Sequence, residues 1–298
     1  MYIFLSFLIS FGAKYAGEFL DLPVSGRAQG MGSAYVTLAR LSESPFWNPA
    51  CIVKEEGRQV FLSHSESFGG MVNYNAVSFA MSDKMQGLGL AIYQIGYPDN
   101  IFSNDSVPTD TASVNDWVLY LTYGKRRELG EITASRLSFG VSAKTIYRNW
   151  REGSAYGIGI DGGMLYKSYP FSVGLYIENL TTTLLFWNVG TREFIAPLLK
   201  TGISYEVPVE RFSGTLILAG GLDTNLENKI TKLDVIKSDP HIGMEYVYKD
   251  RFAARFGWDK GDMSFGAGFK LGNLSVDYGQ SYHPELGTNS RLSGNVDF

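Results

Sequence analysis

The feature that most constrains this chain is an alternation of apolar and polar residues with a period of two. It begins near Gln59 and continues to the last residue. Between Met263 and Leu271 the odd positions are Met, Phe, Ala, Phe and Leu, whereas the even positions are Ser, Gly, Gly and Lys. Successive side chains of a β-strand point to opposite faces, so each such segment has one apolar and one polar face. The pattern predicts an all-β protein built from amphipathic strands.

Fourteen segments of the chain have this pattern, and most of them contain 8 to 13 residues. This length is close to the roughly 9–11 residues that a tilted strand needs to cross a bilayer. The segments are 59–64, 75–82, 86–95, 114–124, 136–148, 155–167, 171–179, 199–207, 214–223, 240–248, 251–258, 263–271, 273–281 and 289–298.

The connections between these segments alternate between long and short. Gly96–Ser113 and Leu180–Leu198 are long, whereas Lys249–Asp250 and Gly272 are tight turns. Outer-membrane barrels have long extracellular loops and short periplasmic turns, and a soluble β-sandwich has no reason to alternate in this way. With both termini in the periplasm, the long connections lie outside the cell.

A soluble sandwich is the main alternative, because alternation alone does not say which face meets water. Aromatic residues near strand ends, such as Trp117 and Tyr147, favour the membrane, since such residues prefer the headgroup boundary. We therefore predict a closed antiparallel transmembrane β-barrel of about 14 strands in the bacterial outer membrane. Its expected partners are outer-membrane lipid and the barrel assembly machinery, for which the terminal Phe298 is the expected assembly signal.

The first thirteen residues are apolar apart from Ser6 and Ser10, and they are too short to span a bilayer. They suit the hydrophobic region of a secretory signal, although no Lys or Arg precedes them. A buried first strand is the alternative. We divide the chain into a signal peptide (1–13), an N-terminal plug (14–58) and a transmembrane barrel (59–298).

Parity along the strands assigns a set of charged residues to the polar faces, which line the lumen of a membrane barrel. Both signs are present, so we expect a paired network and not an ion-selective ring. The set is Lys144, Asp161, Glu178, Glu206, Glu245, Arg255, Lys270, Asp277 and Arg291.

Catalytic and cofactor signals are weak. The net charge is −4, with no basic block, so nucleic acid is an unexpected partner. The three histidines are too scattered for a metal motif, and the single cysteine, Cys51, cannot form an internal disulfide. Gly157, Gly159 and Gly162 match a dinucleotide fingerprint by spacing but lie within a strand pattern. We predict no catalytic residue, no metal, no cofactor and no enzymatic activity.

Motifs at both ends of the chain resemble a known family. Ser25-Gly-Arg-Ala-Gln-Gly-Met-Gly-Ser-Ala34 is followed by Phe46-Trp-Asn-Pro-Ala50, and the C-terminal region contains Asp277-Tyr278 and Arg291. These motifs resemble the PorV/PorQ family, relatives of the FadL fatty-acid transporter. The resemblance implies a fourteen-stranded outer-membrane barrel whose N-terminal segment folds into the lumen as a plug. Cys51 and Ser290 depart from the family pattern, which has Gly and His there.

The expected plug or gate residues contain two glycines for close packing and a proline that fixes a bend and restricts Asn48. Arg27 could reach a lumen carboxylate such as Glu178 or Glu206. A moving gate and a static plug are both compatible with these residues. They are Arg27, Gly30, Met31, Gly32, Trp47, Asn48, Pro49 and Ala50.

Two functional classes follow from the resemblance. The first is a secretion-associated accessory barrel of a type IX-like pathway, whose partner is a secretion translocon. The second is a FadL-like passive transporter, whose partner is a hydrophobic ligand. The motif string slightly favours the first, and a structural barrel without a ligand is a third possibility. The second class requires an apolar patch on the lumen wall, at which only Ile146 and Leu165 hint.

Overall fold

The structure is a computed structural model that describes most of the chain. It covers Leu20 and residues 23–67, 70–83, 85–104, 107–130, 134–151, 153–226, 238–283 and 287–298, with the backbone alone for 98–104 and 107–113. The predicted signal peptide therefore lies outside the described residues.

Almost all regular structure in the described residues is β, because the alternating segments form strands of one antiparallel sheet. Its sixteen strands are β1 (Gly57–Ser67), β2 (Val72–Ser82), β3 (Gln86–Asn104), β4 (Val107–Glu128), β5 (Arg136–Trp150), β6 (Gly153–Ser168), β7 (Phe171–Glu178), β8 (Thr183–Trp187), β9 (Arg192–Ile195), β10 (Leu198–Val209), β11 (Gly214–Asn225), β12 (Ser238–Tyr248), β13 (Phe252–Asp259), β14 (Asp262–Leu271), β15 (Leu274–His283) and β16 (Gly287–Asp297).

The helices are short. They are α1 (Gly26–Gly30), α2 (Ser44–Trp47) and two 3₁₀ turns, Pro49–Val53 and Glu210–Phe212. Among the described residues, no helix has the length and apolar character to span a bilayer.

Fourteen of the strands close into a ring, which confirms the predicted antiparallel barrel. β1 pairs with β16 from Gln59↔Asp297 to Glu66↔Ser290, so the first and last strands close the ring. β5 pairs with β6 along its whole length, and β7 pairs with β10. Closure leaves the ring itself without unpaired edges.

β8 and β9 form a hairpin that does not belong to the ring. β8 pairs with β6 over Ala155–Ile158, beyond the point where β7 ends. The sequence predicts a loop over Leu180–Leu198, and this prediction is wrong for the hairpin. β8 has only five residues, so its alternation is too short to resemble a spanning strand.

The predicted loop Gly96–Ser113 also differs from the structure, because β3 and β4 continue through most of it. Their backbones pair as far as Asn104↔Val107, with two irregularities in register. Backbone pairing needs no apolar alternation, so strands that extend beyond the apolar zone leave no period-two signal in the sequence.

Residues 23–56, called the lumen segment below, contact strands all around the ring. α1 packs against β13 to β16, and the 3₁₀ turn Pro49–Val53 packs against β2 to β6. A segment of this length can reach both sides of the ring only from within it. β1 begins directly after it, at Gly57. The apolar core of the protein therefore lies between this segment and the inner wall.

Candidate functional site: the barrel lumen

A row of alternating arginine and carboxylate side chains binds the lumen segment to β12, β13 and β15. Arg27 Nη2 lies 2.6 Å from Glu245 Oε2, and Arg40 Nη1 lies 2.6 Å from Asp277 Oδ2. Arg255, on the wall, donates to both carboxylates at 2.7 Å. These charge-assisted bonds are short and almost fully buried, so they resist screening by salt. Below, these five residues are called the arginine–carboxylate chain.

The partner of Arg27 is one of the lumen carboxylates. The sequence predicts a lumen carboxylate as the partner, with Glu178 and Glu206 as examples, and Arg27 binds another lumen carboxylate, Glu245, through Nε and Nη2. Periodicity assigns a residue to a face of its strand, whereas this pairing depends on the path of an irregular segment through the lumen. No pattern in the sequence encodes that path.

The Asn-Pro-Ala motif forms a buried turn close to the wall. Asn48 Nδ2 donates to the carbonyls of Val36 and Met164, and Asn48 Oδ1 accepts from the Ala50 amide at 3.0 Å. Pro49 lies so close to Gly140 of β5 that a Cβ there would clash with its backbone. The amide of Asn48 thus caps the following 3₁₀ turn and joins it to β6.

The first part of the lumen segment is equally close to the opposite wall. Gly32 has φ +58° and lies against the Trp258 backbone, so a side chain there would be both strained and blocked. Gly30 lies against Gly266 of β14, and Met31 is fully buried beside Gly243. Trp47 meets Tyr35 edge to face, with ring centroids 5.3 Å apart.

A second row of charged side chains runs along the inner face of the wall from β5 to β13. Lys144 lies 2.9 Å from Asp161 and 3.5 Å from Glu178, and Lys200 lies 3.7 Å from both Glu178 and Asp223. His241 continues the row.

Its imidazole lies 3.3 Å from Asp223 and 3.1 Å from Asp259, which accepts from the Ser33 hydroxyl of the lumen segment at 2.6 Å. No cluster in the described part of the chain has the ligand set for a metal ion. Basic and acidic side chains alternate through the contacts of this row, so it forms a paired network and not a single-sign ring.

Of the remaining residues assigned by parity, two lie near an end of the lumen and one is buried within it. Glu206 pairs with Lys167 at 3.1 Å, and both are partly exposed. Lys270 is exposed, at the end of the barrel where β1 begins and β16 ends. Arg291 is buried; it donates to the Val24 carbonyl at 3.3 Å and lies 5.4 Å from the centre of the Tyr74 ring. Phe298 is exposed, and its amide donates to the Arg58 carbonyl.

An apolar wall covers the inner face of β1 to β5. Its centre is Tyr93, Val118, Tyr120 and Ile146, all buried. Phe46 of α2 packs on this wall, with its ring centroid 5.6 Å from that of Tyr120. The members in the ring strands are Phe61, Val72, Tyr74, Ala76, Ala91, Tyr93, Ile95, Val118, Tyr120 and Ile146.

The β8–β9 hairpin extends the apolar wall, since Leu185 and Ile195 belong to the same cluster. Beside them, Arg148 makes two 3.0 Å hydrogen bonds to Asp116 and lies 4.8 Å from the Trp150 ring centre. Trp187 of the hairpin meets Trp150 edge to face at 6.4 Å. This contact ties the hairpin to β5.

The apolar wall and Arg40 are the main features that sequence analysis missed. Tyr74, Tyr93 and Tyr120 face inward, whereas aromatic residues in barrels are usually assigned to the membrane boundary. A signal was present, because Ala76, Ala91, Val118 and Ile146 occupy faces that carry charges in later strands. Comparing the inner faces of early and late strands would have shown the difference.

The outer face of the ring is apolar over most of its strands. Large side chains such as Phe265 and Ile203 are 54% and 62% exposed, while buried ion pairs lie in the interior. This arrangement is inverted relative to a soluble protein and fits a lipid surround. The fold and the apolar outer face together define a bacterial outer-membrane β-barrel.

Solved structures of similar architecture are found, at low sequence identity. The toluene transporter TodX of Pseudomonas putida aligns with a TM-score of 0.62 and 11% identity, covering 98% of this chain and 99% of that chain. A FadL homologue of Pseudomonas aeruginosa aligns with a TM-score of 0.55 and 12% identity, covering 93% and 99%.

At this identity the likeness shows the fold. No protein-family model matches the sequence, and no curated protein matches it.

Proposed function

We propose that this barrel is a passive transporter of hydrophobic molecules across the outer membrane, with the lumen segment as its plug. The observation that carries the proposal is the apolar wall on the inner face of β1 to β5. Phe46 of the lumen segment covers part of this wall, and an apolar ligand that took its place would be stabilised by about 25 cal/mol for each Å² that it buries. The barrels aligned above include one described as a toluene transporter.

We propose further that the lumen segment acts as a plug. Phe46 covers the apolar wall, so a ligand would displace its ring or slide past it. The arginine–carboxylate chain holds the other side of the segment, around α1. We propose that ligand passage shifts the part around α2 while α1 stays anchored.

Uptake by cells tests the proposal directly. Cells that make the full chain are given radiolabelled toluene or oleate, and uptake is compared with cells that lack the chain. Leu185→Asn places an amide on the apolar wall with little change in volume, and we expect it to lower uptake at least fivefold. The matched control is Leu184→Asn, because Leu184 is the neighbouring residue on the outer face of the hairpin.

Equal amounts of folded protein are verified by the shift of the barrel band on boiling. Uptake equal to that of cells without the chain would contradict transport. An equal loss in both variants would contradict the role of the apolar wall.

A secretion-associated accessory barrel is the second candidate. Its support is the motif string of the N-terminal segment, together with the number of ion pairs that hold this segment to the wall. A barrel whose lumen is permanently filled would serve as a docking platform for a translocon. Absence of uptake of both probes, with normal folding, would favour this candidate over transport.

A further inference from the structure

A small cavity lies between the lumen segment and the inner wall formed by β12 to β15. Its volume is about 120 Å³. Its lining includes the turn residues Asp250 and Arg251 and the exposed Lys270, so it opens at the end of the barrel where β1 begins and β16 ends. The apolar wall is on the other side of the lumen, so this cavity is separate from the proposed transport surface.

The charges that line the cavity do not balance. Three acidic residues, Glu245, Asp250 and Asp277, face five basic ones. The basic residues are Arg27, Arg40, Arg251, Arg255 and Lys270. The cavity therefore has a surplus of two positive charges within a small volume.

The two acidic residues at its base are already engaged. Glu245 accepts from Arg27 and Arg255, and Asp277 accepts from Arg40 and Arg255. Each carboxylate thus serves two guanidinium groups and has little capacity left for a third cation.

Three cationic groups at the cavity have unused hydrogen-bonding capacity. The side chain of Arg255 is 1% exposed, and its Nη1 has no hydrogen-bond partner among the residues that the structure describes. Such a buried donor is costly to leave unpaired. At the mouth, the side chains of Arg251 and Lys270 make no ion pair or hydrogen bond within the described residues.

We propose that this cavity is a binding site for an oxyanion group, a carboxylate or a phosphate, that enters from the periplasmic side. The anion would lie between the arginine–carboxylate chain and the two cations at the mouth, and it would neutralise the surplus charge. Planar guanidinium groups match the oxygens of both anions, and Lys270 adds a point charge. A bound anion would also compete with Glu245 and Asp277 for Arg27 and Arg40, which links the site to the lumen segment.

Isothermal titration of the full chain, folded in detergent, tests the site. The probes are inorganic phosphate and acetate, titrated separately at constant ionic strength with chloride as the balancing anion. We expect saturable one-to-one binding of at least one probe. Tighter binding of phosphate would assign the site to a phosphate group, and tighter binding of acetate would assign it to a carboxylate.

Charge-neutral variants identify the cavity as the location. Lys270→Gln and Arg251→Gln remove the cations at the mouth, and we expect each to weaken binding at least fivefold. The matched control is Lys249→Gln, which removes a charge two residues from Arg251 but does not line the cavity. We expect that change to alter the affinity less than twofold. All three positions are exposed, so the variants should fold normally.

Absence of saturable binding of either probe below about 10 mM would overturn the proposal. An equal loss in Lys249→Gln would overturn it as well, because it would show attraction to the surface and not to the cavity. The measurement involves no uptake, so its outcome is independent of whether the barrel transports hydrophobic molecules.

Discussion

At the scale of single residues, Glu245 joins the lumen segment to the barrel wall. It is buried on β12 and receives hydrogen bonds from Arg27 of the lumen segment and Arg255 of β13. An ion pair of this kind adds little net stability when compared with an apolar replacement of both partners. Removal of only one partner lowers the stability, because the remaining buried charge then has no opposite charge beside it.

Glu245→Gln keeps the shape of the side chain and removes its charge, leaving two buried arginines around a neutral amide. We expect the free energy of unfolding to fall by about 3–5 kcal/mol. Urea titration followed by the heat-sensitive gel shift measures this change. Glu206→Gln is the control, because the Glu206–Lys167 pair is partly exposed and should contribute only about 0–1 kcal/mol. Equal midpoints for the two variants would contradict the assigned role of Glu245.

Cys51 offers a second residue-scale test, because it is the only cysteine and lies fully buried in the lumen segment. Burial raises the pKa of the Cys51 thiol to about 11. Since the thiolate is the reactive form and the buried side chain is out of reach of the reagent, labelling of the folded protein by a maleimide should be very slow at pH 8. Boiled protein is the control. Labelling of folded protein at the boiled rate would show that the segment leaves the lumen readily.

At the scale of elements, each ring strand has an apolar face outward and a polar or tyrosine-rich face inward. β14 shows this clearly, since Phe265 and Phe269 face outward while Ser264 is buried. The lumen segment has no such regularity. It consists of short helices and turns joined by specific hydrogen bonds, such as those from Lys54 Nζ to the carbonyls of Thr37, Leu38 and Ala39.

Phe265→Lys tests the outward face of β14, where the ring of Phe265 packs edge to face on Phe256 at 5.5 Å. A lysine facing the middle of the bilayer should lower the stability by about 2–4 kcal/mol and reduce the amount of folded barrel in the membrane. Asn273→Lys, in the turn between β14 and β15, is the control and should fold as the parent does. Tolerance of Phe265→Lys would mean that this face does not meet lipid.

At the scale of the whole molecule, the lumen has two unlike sides. Ion pairs cover β5 to β13 and β15, and the apolar wall covers β1 to β5. The lumen segment separates them, with α1 on the charged side and α2 on the apolar side. This asymmetry is the physical basis on which we propose ligand passage along one side and anchoring of the lumen segment on the other.

The ring could be predicted from sequence because each of its strands carries its own signal. Met263–Leu271 alternates without a break, and β14 occupies nearly the same residues. The β8–β9 hairpin was missed because five residues give too little alternation. The partner of Arg27 among the lumen carboxylates could not be predicted, because contacts between an irregular segment and a distant strand depend on three-dimensional closure. Local sequence patterns therefore predict the strands of the wall, whereas the contacts of the lumen segment depend on the three-dimensional closure of the barrel.

The lumen segment is synthesised before any strand of the ring, yet the strands that carry its ion-pair partners are among the last to be synthesised. Arg27 and Arg40 belong to the first part of the chain, whereas Glu245, Arg255 and Asp277 lie on β12, β13 and β15. During biosynthesis the two arginines of the segment therefore remain without these carboxylate partners until almost the entire chain has been synthesised. A barrel that closed around an empty lumen would trap one more carboxylate than guanidinium at this place. Insertion of the segment and pairing of β1 with β16 are thus expected to be a single concerted event in assembly.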